Sequence, residues 1–366
     1  MILESVEKVG IMGGGINAAL LCLEAHKKGI KTTIVDQDLH CPASSIADEH
    51  LVSPLNKTIL LKLIQRTDVI VFANKLKSIS DYSPLLKEKA KVYPQIEILE
   101  TLSSRRRFLW KMEQLEIPTI KYKILEDEIG LLDLLREVEL PVSITKYYKD
   151  KYDEFVLTSD EDMVDLLVDK DRKVNYWLVE EIPLDSIELS VGISRDRKNK
   201  MYDYSVCEDL YDGDTWIQGH VPARITKTLQ RQAIALARRT IRRLDATGTF
   251  AVNIVLSQEG ELIVRDVQPF ALASAIYTEE GCGISQYDHL IRIILGLPLY
   301  SAEFEGVVFS YLEKESANSG ARSMKNMLEK QGSNMYSFKG KTYDSARQLY
   351  TFKADSWEDL EQTLNS

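Results

Sequence analysis

Apolar positions in the first part of the chain fall into short runs separated by a glycine turn and a longer apolar segment. The run VGIM at 9–12 predicts a buried strand, and the turn after it leads into a helix over 16–28. Gly29 follows that helix at a position where glycine commonly ends helices, and KTTIVDQD at 31–38 predicts the next strand. This order is a β-α-β unit, and it predicts a parallel sheet that DVIVFAN at 68–74 joins as a third strand.

The rest of the chain mixes helical periodicity with strand-like alternation. Helices are predicted over 102–115, 128–137, near 159–168 and over 226–244. Strands are predicted at PVSITKYY (141–148), WLVEEI (177–182) and IELSVGISRD (187–196), and the last two alternate like strands that pair with each other. A β-hairpin is predicted for FAVNIVLS and ELIVRDV around a QEG turn, and further strands around a turn are predicted within 335–354. These patterns predict the α/β class.

Length and charge limit the kinds of protein that this chain can be. A chain of 366 residues is too long for one compact core and predicts two or three domains. A net charge of −10 disfavours a nucleic-acid partner or an anionic membrane surface, because binding phosphates needs a basic face. The four cysteines show neither a CxxC pair nor a zinc spacing, which is typical of reduced thiols. Neither a signal peptide nor a transmembrane segment is predicted, so a cytoplasmic protein is expected.

The glycine turn after the first strand has two interpretations. Gly13, Gly15 and Ala18 fit the pattern GxGxxA, and Asp36 closes the second strand, as in dinucleotide-binding folds. This pattern keeps an NAD-binding dehydrogenase open as a hypothesis. The other interpretation is that a tight strand-to-helix turn in any doubly wound sheet needs small residues.

Longer phrases, in order along the chain, resemble one family of ligases. They are VGIMGGGINAAL (9–20), CPASSIADEH (41–50), LSSRRRFLWKMEQLEIPTIKY (102–122), VEEIPLDSIELSV (179–191) and the block 248–299. Together they resemble the 5-(carboxyamino)imidazole ribonucleotide synthases, which are ATP-grasp ligases of purine biosynthesis. The resemblance spans nearly the whole chain and is weakest in the C-terminal tail.

The resemblance implies an α/β fold with the three-part ATP-grasp architecture. Its expected parts are an N-terminal Rossmann-like pre-ATP-grasp domain (1–101), a lid subdomain (102–178), a C-terminal α+β subdomain (179–302) and a small C-terminal α/β piece (303–366). The implied activity is the carboxylation of aminoimidazole ribonucleotide with bicarbonate through carboxyphosphate. The implied cofactors are ATP and Mg²⁺, the substrate is a ribonucleotide or another amine, and the family implies a homodimer.

The resemblance also assigns a nucleotide site. Lys146 matches a lysine that reaches the ATP phosphates, Glu180 matches the hinge beside the adenine, and Glu188 matches the carboxylate on the ribose hydroxyls. The complete implied set of nucleotide-binding residues is Arg105, Lys146, Tyr152, Asp153, Glu180, Glu181, Ile182, Pro183, Glu188 and Glu208.

Metal and substrate positions follow from the same resemblance. Asn253 and Asp266 stand at the metal-binding positions, and Arg265 precedes Asp266 where the family has an asparagine. The implied substrate-binding residues are Gly13, Gly14, Gly15, Ser274, Lys341 and Arg347. The resemblance assigns no catalytic acid or base.

Three segments depart from the family pattern. KYYKDKYDEFV (146–156) replaces a glycine-rich phosphate loop, one carboxylate stands where the metal site has two, and PFALASAI (269–276) replaces a polar substrate-binding phrase. These departures keep two alternatives to the purine ligase open. One is a non-catalytic or regulatory paralogue with the same fold, and the other is an enzyme for a more apolar substrate.

Overall fold

The N-terminal part of the protein is built on a parallel five-stranded sheet with the strand order β3-β2-β1-β4-β5. The computed structural model describes residues 5–74, 79–148, 152–159, 162, 174–183, 185–212, 215–314, 329–338 and 347–365. The elements of this part are β1 (Lys8–Met12), α1 (Ile16–His26), β2 (Lys31–Asp36), β3 (Glu49–Val52), α2 (Lys57–Arg66), β4 (Val69–Phe72), α3 (Ser83–Lys89), β5 (Val92–Tyr93) and α4 (Ile96–Leu102). Helices cover both faces of the sheet, which explains its continuous apolar strands and confirms the predicted β-α-β unit.

The second part is an antiparallel four-stranded sheet, which we call the lid sheet. Its strands are β6 (Tyr122–Leu125), β7 (Val142–Tyr147), β8 (Tyr152–Leu157) and β9 (Tyr176–Glu181), in the order β6-β9-β7-β8, and α6 (Glu128–Leu135) belongs to the same part. Leu131 and Leu135 of α6 pack on Val142 and Ile144, so one face of the lid sheet has its own small core. The helix predicted near 159–168 lies largely outside the described residues.

A short break separates the lid from the N-terminal sheet. The helix predicted over 102–115 corresponds to α5 (Arg105–Gln114), which begins after the end of α4 because Ser104 caps it by accepting a hydrogen bond from the Arg107 amide. Phe108 and Met112 of α5 pack in the core of the C-terminal part. Arg105 is thereby fixed at the first turn of α5, where the three parts of the protein meet.

The C-terminal part is a nine-stranded sheet, which we call the large sheet. Its elements are β10 (Ile187–Arg195), β11 (Met201–Asp203), β12 (Cys207–Asp212), β13 (Thr215–Val221), α7 (Lys227–Leu244), β14 (Gly248–Leu256), β15 (Leu262–Gln268), α8 (Tyr277–Gly281), α9 (Gln286–Leu295), β16 (Val307–Lys314), β17 (Ser333–Phe338), β18 (Arg347–Ala354) and α10 (Trp357–Asn365). The strand order is β15-β14-β10-β12-β13-β16-β18-β17, and β11 pairs with β10. The predicted hairpin of β14 and β15 and the antiparallel pair β17–β18 are confirmed.

One expectation about strand partners differs from the structure. The predicted pairing of 177–182 with 187–196 is wrong, because β9 pairs with β6 and β7 whereas β10 pairs with β11, β12 and β14. Both strands are buried along most of their length, so their patterns do not identify the strands with which they pair. The strands within 303–366 extend the large sheet through the pairing of β13 with β16.

One face of the large sheet packs on the amphipathic helix α7. Leu189 and Val191 of β10 meet Ala237 and Ile241 of α7 in one core, as the apolar stripe of this helix predicts. The residues that alternate with them point to the opposite face. Among the described residues, no helix is long and apolar enough to cross a membrane.

Candidate functional site

A row of polar side chains crosses the face of the large sheet opposite α7. Ser190 of β10 lies opposite Asn253 of β14, and Asn253 lies opposite Asp266 of β15. Residues directly opposite each other in antiparallel strands share a face, so these three side chains form one row. Glu188, two residues before Ser190, lies on the same face.

A β-bulge adds Arg265 to this polar face. Asn253 pairs with Asp266 and Ile254 pairs with Val264, so Arg265 is the extra residue between them. Val264 and Val267 are both buried in the core beside α7, although they stand three positions apart. Arg265 and Asp266 therefore both lie on the side away from that core.

Two arginine–glutamate pairs bring the lid sheet and the large sheet together. Arg265 Nη1 donates to Glu188 Oε1. Arg105 donates to Glu180 Oε1 through Nε at 2.8 Å and through Nη2, and its Nη1 donates to the carbonyl oxygen of Arg265. Glu180 is on β9 of the lid sheet, so Arg105 joins the lid to the bulge of β15. We call Arg105, Glu180, Glu188 and Arg265 the charged junction.

The environment of Arg105 keeps it charged. Burial alone would lower the pKa of Arg105, but the adjacent Glu180 carboxylate and its hydrogen bonds outweigh burial and raise the pKa above its ordinary value. Asp266 acts in the same direction. Arg105 is thus a permanent, oriented cation between the two sheets.

The expected metal positions do not fit a divalent cation. Within the described residues there is no group of three or more His, Cys, Asp or Glu side chains that could hold a metal ion. Asp266 accepts hydrogen bonds at both oxygens, from the Val267 amide at 2.9 Å and from Gln268 Nε2. The buried Asn253 Oδ1 has no partner among the described residues, but a single neutral oxygen falls well short of the ligands that Mg²⁺ requires.

Lys146 lies on the face of the lid sheet that packs on α6, and Glu180 lies on the other face. Lys146 is opposite Trp177, whereas Glu180 is opposite Ser143. Ser143 and Lys146 are three positions apart along β7, so their side chains point to opposite faces of the sheet. Lys146 is buried, with Nζ 4.8 Å from the centroid of the Phe155 ring and 5.0 Å from that of Trp177. Its ammonium group therefore belongs to the interior of the lid.

Tyrosines line the lid face that carries Glu180. Tyr147 stacks on Tyr176 with ring centroids 4.5 Å apart, and Tyr152 lies 5.8 Å from Tyr147. The guanidinium of Arg106 covers the Tyr176 ring at 4.7 Å. Asp153, which follows Tyr152, lies opposite Lys146 and therefore points to the other face.

The segment after Glu180 forms the connection from the lid sheet to the large sheet. The Glu181 amide donates to the Lys121 carbonyl at 3.1 Å, and the Ile182 amide donates to the Pro141 carbonyl at 3.3 Å. The Pro183 carbonyl accepts from Ser186 Oγ at 3.1 Å. These bonds fix the backbone of the segment predicted to lie beside the adenine.

Glu208 lies on the face of the large sheet that packs on α7. It is opposite Leu189, whose side chain is in the core beside that helix. Arg224 donates to Glu208 through its amide and through Nε, both at 3.0 Å, and through Nη2 at 2.6 Å. Burial alone would raise the pKa of Glu208, but the bonds from Arg224 outweigh it and lower the pKa. The structure therefore separates Glu208 from the charged junction.

The glycine turn packs closely against its surroundings. Gly13 has φ +105°, and a Cβ there would lie 2.6 Å from Asn74 Oδ1. A Cβ at Gly14 would lie 2.3 Å from Cys41 Sγ, whereas one at Gly15 would meet open space. The Gly14 amide donates to Asp36 Oδ2 at 2.8 Å, so this carboxylate holds the turn itself.

The segment 269–276 faces the N-terminal sheet across a small cavity. Phe270 and Ala271 line this cavity together with Asn17 of α1. The buried Ser274 continues toward the large sheet, where its Oγ lies 3.5 Å from Ser190 Oγ. Lys341 lies outside the described residues, and Arg347 begins β18, which is separated from β14 by four strands in the order of the large sheet.

Sequence reasoning missed a buried acid under this segment. Asp209 Oδ1 accepts from Trp216 Nε1 at 2.8 Å and from Cys207 Sγ at 3.3 Å. Burial raises the pKa of Asp209, although hydrogen bonds from Ser190, Trp216, Cys207 and Ser274 act in the opposite direction. The sequence shows Asp209 only as a polar residue in the alternating pattern of β12. Segments that are distant in sequence bury it, and the pattern does not reveal them.

Comparisons with known proteins match two family models and several curated relatives to this chain. Residues 6–102 match the "Ribonucleotide synthetase preATP-grasp domain", and residues 110–287 match the "ATP-grasp domain". The chain is 27% identical over 297 residues to the N5-carboxyaminoimidazole ribonucleotide synthase of Bacillus subtilis, and this match covers 80% of this chain and 77% of the relative. For the synthase of Aquifex aeolicus the identity is 26%, with 81% and 78% covered. The chain spans 57% of the phosphoribosylaminoimidazole carboxylase of Vigna aconitifolia at 25% identity.

Solved structures share the fold from end to end. The N5-carboxyaminoimidazole ribonucleotide synthetase of Thermotoga maritima has a TM-score of 0.81 at 24% identity, and 98% of this chain and 97% of that one are covered. The N5-carboxyaminoimidazole synthase of Aspergillus clavatus, solved with ADP and 5-aminoimidazole ribonucleotide, has a TM-score of 0.85 at 20% identity, with 98% and 96% covered. These similarities confirm the predicted α/β fold with its pre-ATP-grasp and ATP-grasp regions.

Proposed function

Since this chain belongs to the ATP-grasp family of N5-carboxyaminoimidazole ribonucleotide synthases, we propose that it carboxylates aminoimidazole ribonucleotide with bicarbonate and converts ATP to ADP and phosphate in the same reaction. In the first step a bicarbonate oxygen attacks the γ-phosphorus of ATP, which gives carboxyphosphate and ADP. In the second step the amine of the ribonucleotide attacks the carboxyl carbon, the bond from that carbon to the phosphate oxygen breaks, and the amine loses a proton. The comparisons favour this ligase over the non-catalytic and apolar-substrate alternatives, and the family displaces the NAD hypothesis.

The charged junction is the observation that carries the proposal. Glu180 and Glu188 come from two different sheets, and each is held by a guanidinium group at the place where the sheets meet. A nucleotide between these sheets would have hydrogen-bond acceptors for its ribose hydroxyls and a permanent cation for its phosphates. Developing negative charge on the transferred phosphoryl group would be stabilised by such oriented donors.

We assign the nucleotide to the face that carries Glu180 and Glu188. Arg105 would hold β9 in place beside the adenine and face the phosphates, and Glu188 would receive the ribose hydroxyls. The Glu181–Pro183 backbone would border the base, and Tyr147, Tyr152 and Tyr176 would cover the nucleotide from the lid side. Lys146 and Asp153 would act from the other face of the lid sheet by keeping its interior rigid.

The acceptor would lie between the glycine turn and the segment 269–276. Asn17 lines the cavity there, the buried Ser274 follows in the same segment, and Gly15 is the exposed residue of the glycine turn. Phe270 and Ala271 line the same space, so the pocket would bind the imidazole ring through apolar contacts.

Release of ADP tests the proposed function. ADP formation would be measured with ATP and bicarbonate, with and without aminoimidazole ribonucleotide. We expect ADP formation to depend on the ribonucleotide, and Arg105→Gln to lower the rate about tenfold or more, because one charge-assisted hydrogen bond is worth about 1.5–3 kcal/mol. Arg136→Gln is the matched control, because Arg136 pairs with Asp133 on the exposed side of α6. Absence of ribonucleotide-dependent ADP formation would overturn the proposal.

We also propose that the protein acts as a homodimer in the cytoplasm, as the family resemblance implies. Sedimentation equilibrium of the purified chain would test the dimer. A mass equal to one chain at all concentrations would reject it.

A further inference from the structure

The bulge in β15 places the positively charged side chain of Arg265 at the expected metal position. Without the bulge, neighbours along β15 would point to opposite faces. With it, Arg265 and Asp266 both lie on the polar face beside Asn253. A bulge of this kind re-aims a side chain next to a functional site, and here the re-aimed side chain is a guanidinium.

The same surroundings disfavour a divalent cation. Both oxygens of Asp266 already accept hydrogen bonds, and Arg105 donates to the backbone carbonyl of Arg265. Arg265 therefore stands beside the single carboxylate of the expected metal site, where its charge opposes an added positive ion, and Glu180 and Glu188 are already engaged by their own guanidinium partners.

We infer that Arg265 supplies the positive charge that a metal ion would otherwise bring to the nucleotide phosphates, so that this protein binds nucleotide without a divalent cation. The inference rests on the proposed function, because it concerns the same nucleotide site. A guanidinium suits this role because it is always charged and can donate two parallel hydrogen bonds to a phosphate.

Nucleotide binding would replace the ion pair between Arg265 and Glu188 by contacts from each of these residues to the nucleotide. Before nucleotide arrives, Glu188 holds Arg265, and the arginine side chain is 50% exposed. Ribose hydroxyls that donate to Glu188 would compete with Arg265 for the carboxylate. The released guanidinium would then contact the phosphates, so binding of the ribose and of the phosphates would be coupled through one arginine.

The chain offers a closely matched control pair. Arg224 and Glu208 form an ion pair on the opposite face of the same sheet, with side-chain exposures of 53% and 19%. The corresponding values for Arg265 and Glu188 are 50% and 26%. Arg224→Gln therefore removes an equivalent ion pair without touching the polar face.

The test is calorimetric titration of the full-length protein with ADP, in excess EDTA and in excess Mg²⁺. We expect the two affinities to agree within about threefold. Arg265→Gln should weaken ADP binding in EDTA about tenfold or more, whereas Arg265→Lys and Arg224→Gln should stay much closer to the unsubstituted protein. The double substitution Asn253→Glu with Arg265→Asn should make ADP binding respond to Mg²⁺, because it restores an anionic oxygen and removes the competing cation.

Two results would overturn the inference in different ways. ADP binding that requires Mg²⁺, or that survives Arg265→Gln unchanged in EDTA, would contradict the role of Arg265 and leave the proposed function standing. Absence of ADP binding under both conditions would contradict the inference and the proposed function together.

Discussion

Replacing Arg105 by methionine should destabilise the protein, because it leaves Glu180 unpaired in a buried position. Arg105 donates twice to Glu180 Oε1, and its third bond goes to the Arg265 carbonyl. Removing one partner of a buried ion pair costs about 3–5 kcal/mol. Both side chains keep some contact with water, at 21% and 11% exposure, so we expect a loss of about 3 kcal/mol in the free energy of unfolding.

A double-mutant cycle in urea unfolding separates this pair from general loss of packing. Arg105→Met, Glu180→Gln and the double variant should give a coupling energy of about 2 kcal/mol, because the double variant no longer buries an unpaired charge. Arg136→Met with Asp133→Asn is the control cycle for an exposed pair, and its coupling should be about 0.5 kcal/mol or less. A coupling energy for Arg105–Glu180 as small as that of the control would refute the reasoning.

Three further predictions concern burial elsewhere in the protein. Burial lowers the pKa of His289 to about 4, so stability should fall by up to about 2 kcal/mol between pH 6.5 and pH 5, and the His289→Gln variant should lack this loss in urea titrations across that range. Burial raises the pKa of Glu279 to about 7, so its ionisation should destabilise the fold as pH rises from about 4.5 to 7. The Glu279→Gln variant should therefore be about 3 kcal/mol more stable than the unsubstituted protein at pH 8. Equal stability of the two proteins at pH 8 would contradict this assignment. Gly14→Ala should cost about 1–3 kcal/mol in thermal unfolding, because its Cβ would meet Cys41 Sγ at 2.3 Å, whereas Gly15→Ala should be nearly neutral; equal effects would reject the steric account.

Local patterns were sufficient for elements whose partners are close in sequence. The β-α-β unit at 8–36 and the hairpin β14–β15 depend on a turn and on neighbouring strands, so periodicity and glycine positions predicted both. The partners of β9 and β10 could not be predicted in this way. These strands are adjacent in sequence but pair with β7 and β14, and the choice depends on which core each strand completes.

The candidate site was predicted as a set of residues but not as an arrangement. Family phrases identified Arg105, Glu180 and Glu188, and the structure brings them to one junction. The position of Arg265 on the polar face follows only from the register of β14 and β15, although the sequence shows two polar residues between Val264 and Val267. The face on which Lys146 lies likewise follows from strand pairing rather than from the sequence phrase.

The proposed reaction can be tested most directly by following the carbon that it transfers. The purified protein would be incubated with ATP, aminoimidazole ribonucleotide and isotopically labelled bicarbonate, and the N-carboxylated product would be observed by nuclear magnetic resonance. The account predicts a labelled carbamate carbon that forms only when ATP and the ribonucleotide are both present, together with ADP and phosphate. Consumption of neither ATP nor ribonucleotide, with no labelled product, would contradict it.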